Sequence, residues 1–278
     1  MRKLVAAAVL FACGCQRSPG DWASPAAPEA PATGARFDPA NAGTIRGRIR
    51  WEGDVPNPPP FPSAKSGPRP NPHAPRVSPV TQGVAGVAVF LASVDPATAK
   101  PWDLPTPSVE IGGGLIRIRT GESAAAVGFA RRGGDVAMSS VDGFQMLRAR
   151  GAAYFTLPFP TAGQPLTRRF DTAGRVEFSS ATVEYWASAD LFACDHPYFA
   201  ATDSDGIFAL TDVPAGRREL VVWVRNWHVE SVEHDPESGL IFRQKYRPPV
   251  EHRVALDVVA GGTAVLNLPL STKDFDPR

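Results

Sequence analysis

The chain has few cysteines, almost no excess charge and no long apolar segment beyond its N-terminus. Of its three cysteines only Cys194 lies in the body of the chain, which excludes a framework of disulfides. The 29 basic residues nearly balance the 28 acidic ones, and a net charge of +1 gives no field that would hold nucleic acid. Past Cys15 no segment sustains the apolar spacing of a helix, which argues against a helical fold.

What the chain does have is β structure punctuated by turns. Its 29 prolines and 25 glycines divide the sequence into short segments. In TIRGRIRW, Ile45, Ile49 and Trp51 alternate with arginines, which is the pattern of a half-buried strand. Similar runs recur along the chain: GVAVFLAS, IRIR, DVAM, YFTL, RVEF, IFAL, ELVVWV, RVALDVV and TAVLNLPL. Together they predict an all-β protein.

Motifs of the common enzyme classes are missing from the sequence. It contains no G-x-S-x-G elbow, no H-E-x-x-H pair and no glycine-rich phosphate loop before a helix. Asp203 and Asp205 are spaced like the first ligands of a calcium loop, but the Asp-Gly pair ending at Gly206 is also a turn signal, and the turn is favoured. We therefore expect no enzymatic activity and no cofactor.

The N-terminus MRKLVAAAVLFACGC has the layout of a secretory signal, with basic residues, a short apolar run and small residues before a cysteine. Its LFAC segment resembles a bacterial lipobox, in which the cysteine is acylated after cleavage. We expect residues 1–15 to direct export, with the lipid on Cys13 or, in a second register, on Cys15. An ordinary signal peptide is the alternative. Either predicts the periplasm or cell envelope, and the lipid would make the membrane a partner.

Two further stretches are rich in proline. Residues 16–42 predict a flexible tether between the lipid and the folded part. In residues 54–79 the prolines are too closely spaced for a helix or an inner strand, so this stretch is expected to run over the surface. His73 within it is then expected to be solvated.

The segment TDSDGIFALTDVPAGRRELVVW resembles the carboxypeptidase regulatory-domain-like family, also described as transthyretin-like. The family's T-D-x-D/E-G-x-F-x-L turn and P-x-G corner are matched by Thr202, Asp203, Asp205, Gly206, Phe208, Leu210, Pro214 and Gly216. Its opening strands correspond to residues 43–49 and 86–91, and its closing strands to residues 253–270. The resemblance implies one sandwich, residues 43–98 plus 198–271, interrupted by a second module.

The interrupting module, residues 107–195, resembles a cupredoxin in the order of its strand-forming segments. The implied fold class is all-β, a transthyretin-like β-sandwich interrupted by a cupredoxin-like β-sandwich. Blue-copper sites need two imidazoles and a thiolate with a weak axial thioether. At the family's ligand positions this chain has other residues, so the resemblance implies a scaffold without its metal. These residues are Ala181, Glu184 and Ala187, with Phe144, Gln145 and Met146 near the fourth position.

Aromatic residues near strand ends are the candidate binding surface. Tyr185 and Trp186 lie in the inserted module, whereas Trp227 and His228 follow the ELVVWV strand. Aromatic rings beside polar groups offer large contact areas to a sugar or to a protein. We therefore expect a non-catalytic binding or structural protein of the cell envelope, with a protein or glycan partner. Carbohydrate binding and periplasmic copper or electron transfer are the alternatives.

The stretch CDHPYFAATDSDG, residues 194–206, gathers chemically capable side chains where the two modules would join. We expect Cys194 to be a small buried residue and His196 to be a buried hydrogen-bonding residue between the modules. The residues that follow predict a re-entering strand and a hairpin at Gly206.

Overall fold

The computed structural model describes residues 36–62, 67–182, 184–239 and 241–276, without the side chain of Phe242. The predicted signal peptide, the predicted lipidation sites Cys13 and Cys15 and most of the predicted tether lie outside these residues. The described part contains strands and two short 3₁₀ turns but no α-helix, which confirms the all-β prediction. No helix in these ranges is long and apolar enough to cross a membrane.

The strands are numbered in chain order. The first ten are β1 (Ala42–Trp51), β2 (Arg76–Val77), β3 (Val84–Ala85), β4 (Ala88–Leu91), β5 (Ser108–Gly112), β6 (Leu115–Thr120), β7 (Ser123–Ala125), β8 (Val127–Arg131), β9 (Asp135–Ser140) and β10 (Gln145–Gly151). The others are β11 (Phe155–Phe159), β12 (Leu166–Arg169), β13 (Gly174–Ser180), β14 (Ser188–Cys194), β15 (Phe199–Ala201), β16 (Ile207–Pro214), β17 (Gly216–Val224), β18 (Val229–His234), β19 (Ile241–Tyr246), β20 (Val250–Val258) and β21 (Thr263–Leu270). The 3₁₀ turns are Pro39–Asn41 and Thr272–Asp274.

The first sandwich is built from both ends of the described chain. Its three-stranded sheet has the order β16–β1–β21, and its four-stranded sheet has the order β15–β4–β17–β20. The predicted alternation in β1 is confirmed, because Ile45, Ile49 and Trp51 are buried, while Arg46 and Arg50 are exposed. The buried side of β1 packs on apolar residues of the four-stranded sheet, and the two sheets share one core.

The second sandwich, β5 to β14, lies in sequence between β4 and β15 of the first. Its facing sheet, named because it faces the first sandwich, has the order β11–β10–β13–β14–β8. Its far sheet has the order β12–β9–β5–β6–β7. Ile111 and Met138 of the far sheet share a core with Leu147, Phe178 and Leu191 of the facing sheet.

The turn at Gly206 joins the two sheets of the first sandwich and is not the predicted hairpin. Asp203 Oδ1 accepts hydrogen bonds from the backbone N–H groups of Asp205 and Ile207, both at 2.9 Å, and Gly206 has φ of +73°. The strands on either side, β15 and β16, belong to different sheets. Turn residues specify a chain reversal but not the sheet that the next strand joins. The hydrogen bonds of Asp203 are those of a turn, which is the interpretation that the sequence favours over a calcium loop.

The predicted end of the tether, at residue 42, lies too far along the chain. Asp38 accepts a hydrogen bond from the Ala40 N–H group at 3.0 Å and caps the turn at Pro39–Asn41. Strand β1 then begins at Ala42 rather than after it. Residues 36–41 therefore belong to the folded part, because the capped turn holds them at the start of the first sandwich.

The hairpin of β18 and β19 leaves the first sandwich and packs on the second. It lies in sequence between β17 and β20, and its strands pair with each other. Val229, Ile241 and Tyr246 of the hairpin pack against the core of the second sandwich. This hairpin therefore connects the two sandwiches, and we call it the clasp hairpin.

Candidate functional site

A third apolar cluster joins the two sandwiches. Ala88 and Trp223 contribute from the four-stranded sheet, and Val127, Phe129 and Phe192 contribute from the facing sheet. The rings of Phe192 and Trp223 meet edge to face with centroids 5.1 Å apart. Large aromatic side chains that are buried in this way contribute strongly to the stability of an interface. The sandwiches are thus packed as one body.

A buried ion triad lies beside this cluster. Asp190 of β14 is 1% exposed, and its two carboxylate oxygens accept from Arg175 Nε and from Arg225 Nε, each at 2.6 Å. Arg225 follows β17 of the first sandwich, whereas Asp190 and Arg175 belong to the second. Burial alone would raise the Asp190 pKa, but the two guanidinium groups outweigh it and lower the pKa to about 2. The carboxylate is therefore charged at neutral pH and links the two sandwiches.

His73 is buried beside this triad, and the prediction of a solvated side chain is wrong. Its Nε2 atom lies 2.8 Å from Ser188 Oγ and its Nδ1 atom lies 2.9 Å from the Asn226 carbonyl oxygen. Its ring stacks on Tyr246 of the clasp hairpin with centroids 3.6 Å apart. Burial, together with the nearby Arg225 charge, holds the His73 pKa well below its usual value. The proline-rich stretch therefore places a buried side chain in the junction between the sandwiches and does not run only over the surface.

The stretch at residues 194–198 has a structural role at the same junction. His196 is buried, and its Nδ1 atom accepts from the backbone N–H of Tyr198 at 3.4 Å. Burial lowers the pKa of His196 and raises that of the half-buried Cys194 thiol to about 12. The thiol is therefore protonated at neutral pH, and thiolate chemistry is disfavoured.

The predicted aromatic binding surface is wrong, because three of its four residues are buried. Tyr185 donates its hydroxyl to the Pro62 carbonyl at 3.1 Å, and Trp186 donates Nε1–H to the Gly114 carbonyl at 3.0 Å. Trp227 is 5% exposed and packs between Trp51 and Phe275, at centroid distances of 5.9 and 4.1 Å. His228 is half-buried beside it. The four residues do not form one surface, since Tyr185 and Trp186 belong to the core of the second sandwich and Trp227 belongs to that of the first.

The positions that would hold copper do come together in the second sandwich. Thr182 Oγ1 lies 3.1 Å from Gln145 Oε1 and 2.8 Å from Glu184 Oε2. The backbone N–H of Ala181 donates to the Met146 carbonyl at 2.9 Å. These neighbours supply no imidazole and no thiolate, which a blue-copper site requires. Within the described ranges no three His, Cys, Asp or Glu residues form a group that would hold a metal ion.

Two adjoining depressions lie at the junction of the sandwiches, and we call them together the groove. One has a volume of about 340 Å³ and the other of about 260 Å³. Trp102 and Arg131 line both depressions. The first is also lined by Arg36, Phe37, Pro96, Ala99, Lys100, Pro101, Asp195 and Pro197. The second is also lined by Leu104, Thr106, Pro107, Ala130, Gly134, Asp135 and Val136.

The first depression carries an excess of positive charge around an aromatic ring. The Arg131 guanidinium carbon lies 6.0 Å from the centroid of the half-buried Trp102 ring, within the range of a cation–π contact. Lys100 Nζ is held by the Thr211 carbonyl and hydroxyl, both at 3.1 Å, and by the Asp212 carboxylate at 3.4 Å. Arg36 supplies the third cation. Asp195 is the single carboxylate of this depression, and it pairs with Arg132 at 2.5 Å.

Sequence reasoning missed the groove because its residues come from segments without a motif. Trp102 lies in a proline-rich connection between β4 and β5, and Arg131 ends β8. The sequence signal for the groove is Trp102 itself, since a proline-rich loop has little core in which to bury an indole.

No protein-family model, no curated protein and no solved structure matches this chain. The resemblance to carboxypeptidase regulatory-like domains and cupredoxins therefore stays a prediction. The function has to be inferred from the geometry of the described residues.

Proposed function

We propose that the chain is a non-catalytic binding protein of the cell envelope whose ligand site is the groove around Trp102 and Arg131. The observation that carries the proposal is the lining of the first depression, where Arg131 lies over the Trp102 ring and Arg36 and Lys100 also contribute. Ligand sites commonly lie at domain interfaces, where a few polar groups surround an apolar contact. The packed junction beneath the groove would hold these groups in place without ligand.

An acidic saccharide is the ligand class that this lining fits best. The half-exposed Trp102 ring offers a flat apolar contact to the C–H groups of a sugar. Arg131 and Arg36 offer donors to a carboxylate, and charge-assisted hydrogen bonds of this kind are about twice as strong as neutral ones. The Lys100 ammonium is already bonded to Thr211 and Asp212 and adds only its nearby charge. Asp195 is paired with Arg132, so its negative charge is partly compensated within the protein.

A glycan array tests this proposal with the wild type and matched variants. We expect the wild type to bind glycans that carry uronic or sialic acids. Trp102→Ala should weaken this binding about thirtyfold, since truncating a central tryptophan typically costs about 2 kcal/mol or more. Tyr154→Ala is the control, because Tyr154 is 81% exposed and adjoins β10 and β11, across the facing sheet from β8. An array on which no acidic glycan binds, or on which Trp102→Ala binds as the wild type does, refutes the proposal.

The location at the envelope rests on the N-terminal sequence. Attachment through Cys13, or through Cys15 in the second register, predicts that labelled palmitate is incorporated into the protein. Cys13→Ala should abolish the label if Cys13 is the site, and Cys15→Ala should leave it unchanged. Labelling of neither residue would contradict the membrane anchor but not the groove.

A further inference from the structure

The outer side of the three-stranded sheet is strongly basic. Side chains alternate across a strand, so Arg46, Arg48 and Arg50 of β1 lie on the side opposite the buried Ile45 and Ile49. With a rise of about 3.3 Å per residue, the three arginines span roughly 13 Å along the central strand of the sheet. We call this side of the sheet the arginine face.

No acidic residue lies opposite these arginines in the paired strands. Arg46 is opposite Ala209 and Val265, and Arg48 is opposite Ile207 and Asn267. Arg50 is opposite Pro269 in β21. The positive charge of the face is therefore not neutralised across the sheet.

Seven arginines elsewhere in the described part of the chain have an acidic partner. Arg119, Arg132, Arg169, Arg175, Arg225, Arg243 and Arg253 all form ion pairs. Within the described ranges Arg46, Arg48 and Arg50 form none, and Arg48 donates its Nε–H only to the Asp205 carbonyl at 2.8 Å. The net charge of the chain is only +1, yet the central strand of this sheet carries three arginines that have no ion-pair partner among the described residues.

Exposed aliphatic side chains lie between the arginines. Ile207 is 48% exposed and Val265 is 56% exposed, on the two strands that flank β1. The face has no aromatic residue at these paired positions on which nucleobases would stack. A mixture of arginine and branched aliphatic residues matches the headgroup region of a bilayer, where basic groups meet phosphates and apolar groups meet acyl chains.

The position of β1 in the chain brings this face to the membrane. It is the first strand after the predicted tether, and 22 residues separate Cys13 from Arg36, where the described part begins. A flexible segment of this length has a typical end-to-end distance of roughly 25 Å. The arginine face can therefore reach the bilayer in which the predicted lipid is embedded.

We propose that the arginine face docks on an anionic phospholipid surface, with Arg46, Arg48 and Arg50 contacting the headgroups. This inference rests on the proposed envelope location but not on the groove. Because each arginine near an anionic surface contributes about a fivefold gain in affinity, the three together would contribute about a hundredfold. Docking of this kind would hold the first sandwich flat on the bilayer.

Vesicle sedimentation tests the proposal. The full chain with Cys13→Ala and Cys15→Ala is used, so that no acyl chain dominates binding, and the same N-terminal segment is present in every variant. We expect it to bind phosphatidylglycerol-containing vesicles about a hundredfold more tightly than the variant Arg46→Gln, Arg48→Gln, Arg50→Gln does. This difference should disappear on vesicles of phosphatidylcholine alone and at high salt.

The matched control removes three exposed arginines outside the face that form no ion pair with any described residue, through Arg76→Gln, Arg168→Gln and Arg217→Gln. This control should keep the affinity of its parent, and near-ultraviolet circular dichroism should show that both triple variants are folded. Equal affinities of the parent and the arginine-face variant would overturn the proposal. Equal losses in the two triple variants would also overturn it, as would tighter binding to soluble dextran sulfate than to vesicles. Glycan binding at the groove should be the same in all of these proteins, so the two proposals fail separately.

Discussion

Substitution of Asp190 by asparagine should destabilise the whole molecule. The Asp190 pKa is lowered from 3.8 to about 2 in the folded protein. This difference corresponds to about 2–3 kcal/mol of stabilisation of the charged form at neutral pH. Asparagine would also leave the Arg175 and Arg225 charges without their carboxylate, and breaking a buried pair typically costs about 3–5 kcal/mol. We therefore expect Asp190→Asn to lower the free energy of unfolding by about 3–5 kcal/mol.

Urea denaturation followed by tryptophan fluorescence measures this loss. The matched control is Glu177→Gln, which removes the other carboxylate that contacts Arg175. Glu177 is 41% exposed, so its pair should contribute less than about 1 kcal/mol. The reasoning is refuted if Asp190→Asn costs no more than Glu177→Gln.

The same ion triad predicts a dependence of stability on pH. Because folding lowers the Asp190 pKa, the unfolded chain binds the proton first as the pH falls. The stabilisation is complete above about pH 4 and is lost as the pH falls through the folded pKa near 2. Wild-type stability should fall in this window by about 2–3 kcal/mol more than that of Asp190→Asn.

Further substitutions probe the junction and the turn. In His73→Gln the free energy of unfolding should decrease less as the pH falls below about 6.5. The His73 pKa is lowered by folding, so in the wild type this imidazole binds a proton in the unfolded chain before it does so in the folded one. Equal pH profiles of the two proteins in denaturant titrations would contradict this. Phe192→Ala should lower the free energy of unfolding by about 3–5 kcal/mol and should separate the thermal unfolding transition, measured by calorimetry, into two. A single unshifted transition would count against the shared cluster. Gly206→Ala should lower the free energy of unfolding, measured by chemical denaturation, by about 1–3 kcal/mol more than Gly113→Ala does. Both glycines have positive φ, but an added Cβ would lie 2.1 Å from the Ile49 carbonyl oxygen only at Gly206.

The strands were predictable because they follow from local patterns. Alternation in TIRGRIRW depends only on the period of a strand, and it identifies the buried Ile45 and Ile49 without knowledge of their partners. The turn at Gly206 was predictable for the same reason, since Asp203 and Gly206 supply the hydrogen bonds and the positive φ locally.

The site was less predictable because it depends on packing between distant segments. Trp227 follows the end of a strand, where exposure is a reasonable expectation, but Trp51 and Phe275 from the two ends of the described chain cover it. His73 lies in a proline-rich stretch and is nevertheless buried by Tyr246 of the clasp hairpin. Periodicity tells which side of an element is apolar, and it does not tell which other element will cover it.

The central claim is that the groove binds an acidic saccharide, and isothermal titration tests it most directly. The ligand would be the acidic glycan with the strongest array signal, titrated into the wild type, Arg131→Gln and Tyr154→Ala. We predict that Arg131→Gln weakens binding by about tenfold or more and reduces its salt dependence, because one charge-assisted contact is lost, whereas Tyr154→Ala binds as the wild type does. Unchanged affinity and salt dependence in Arg131→Gln would contradict the account.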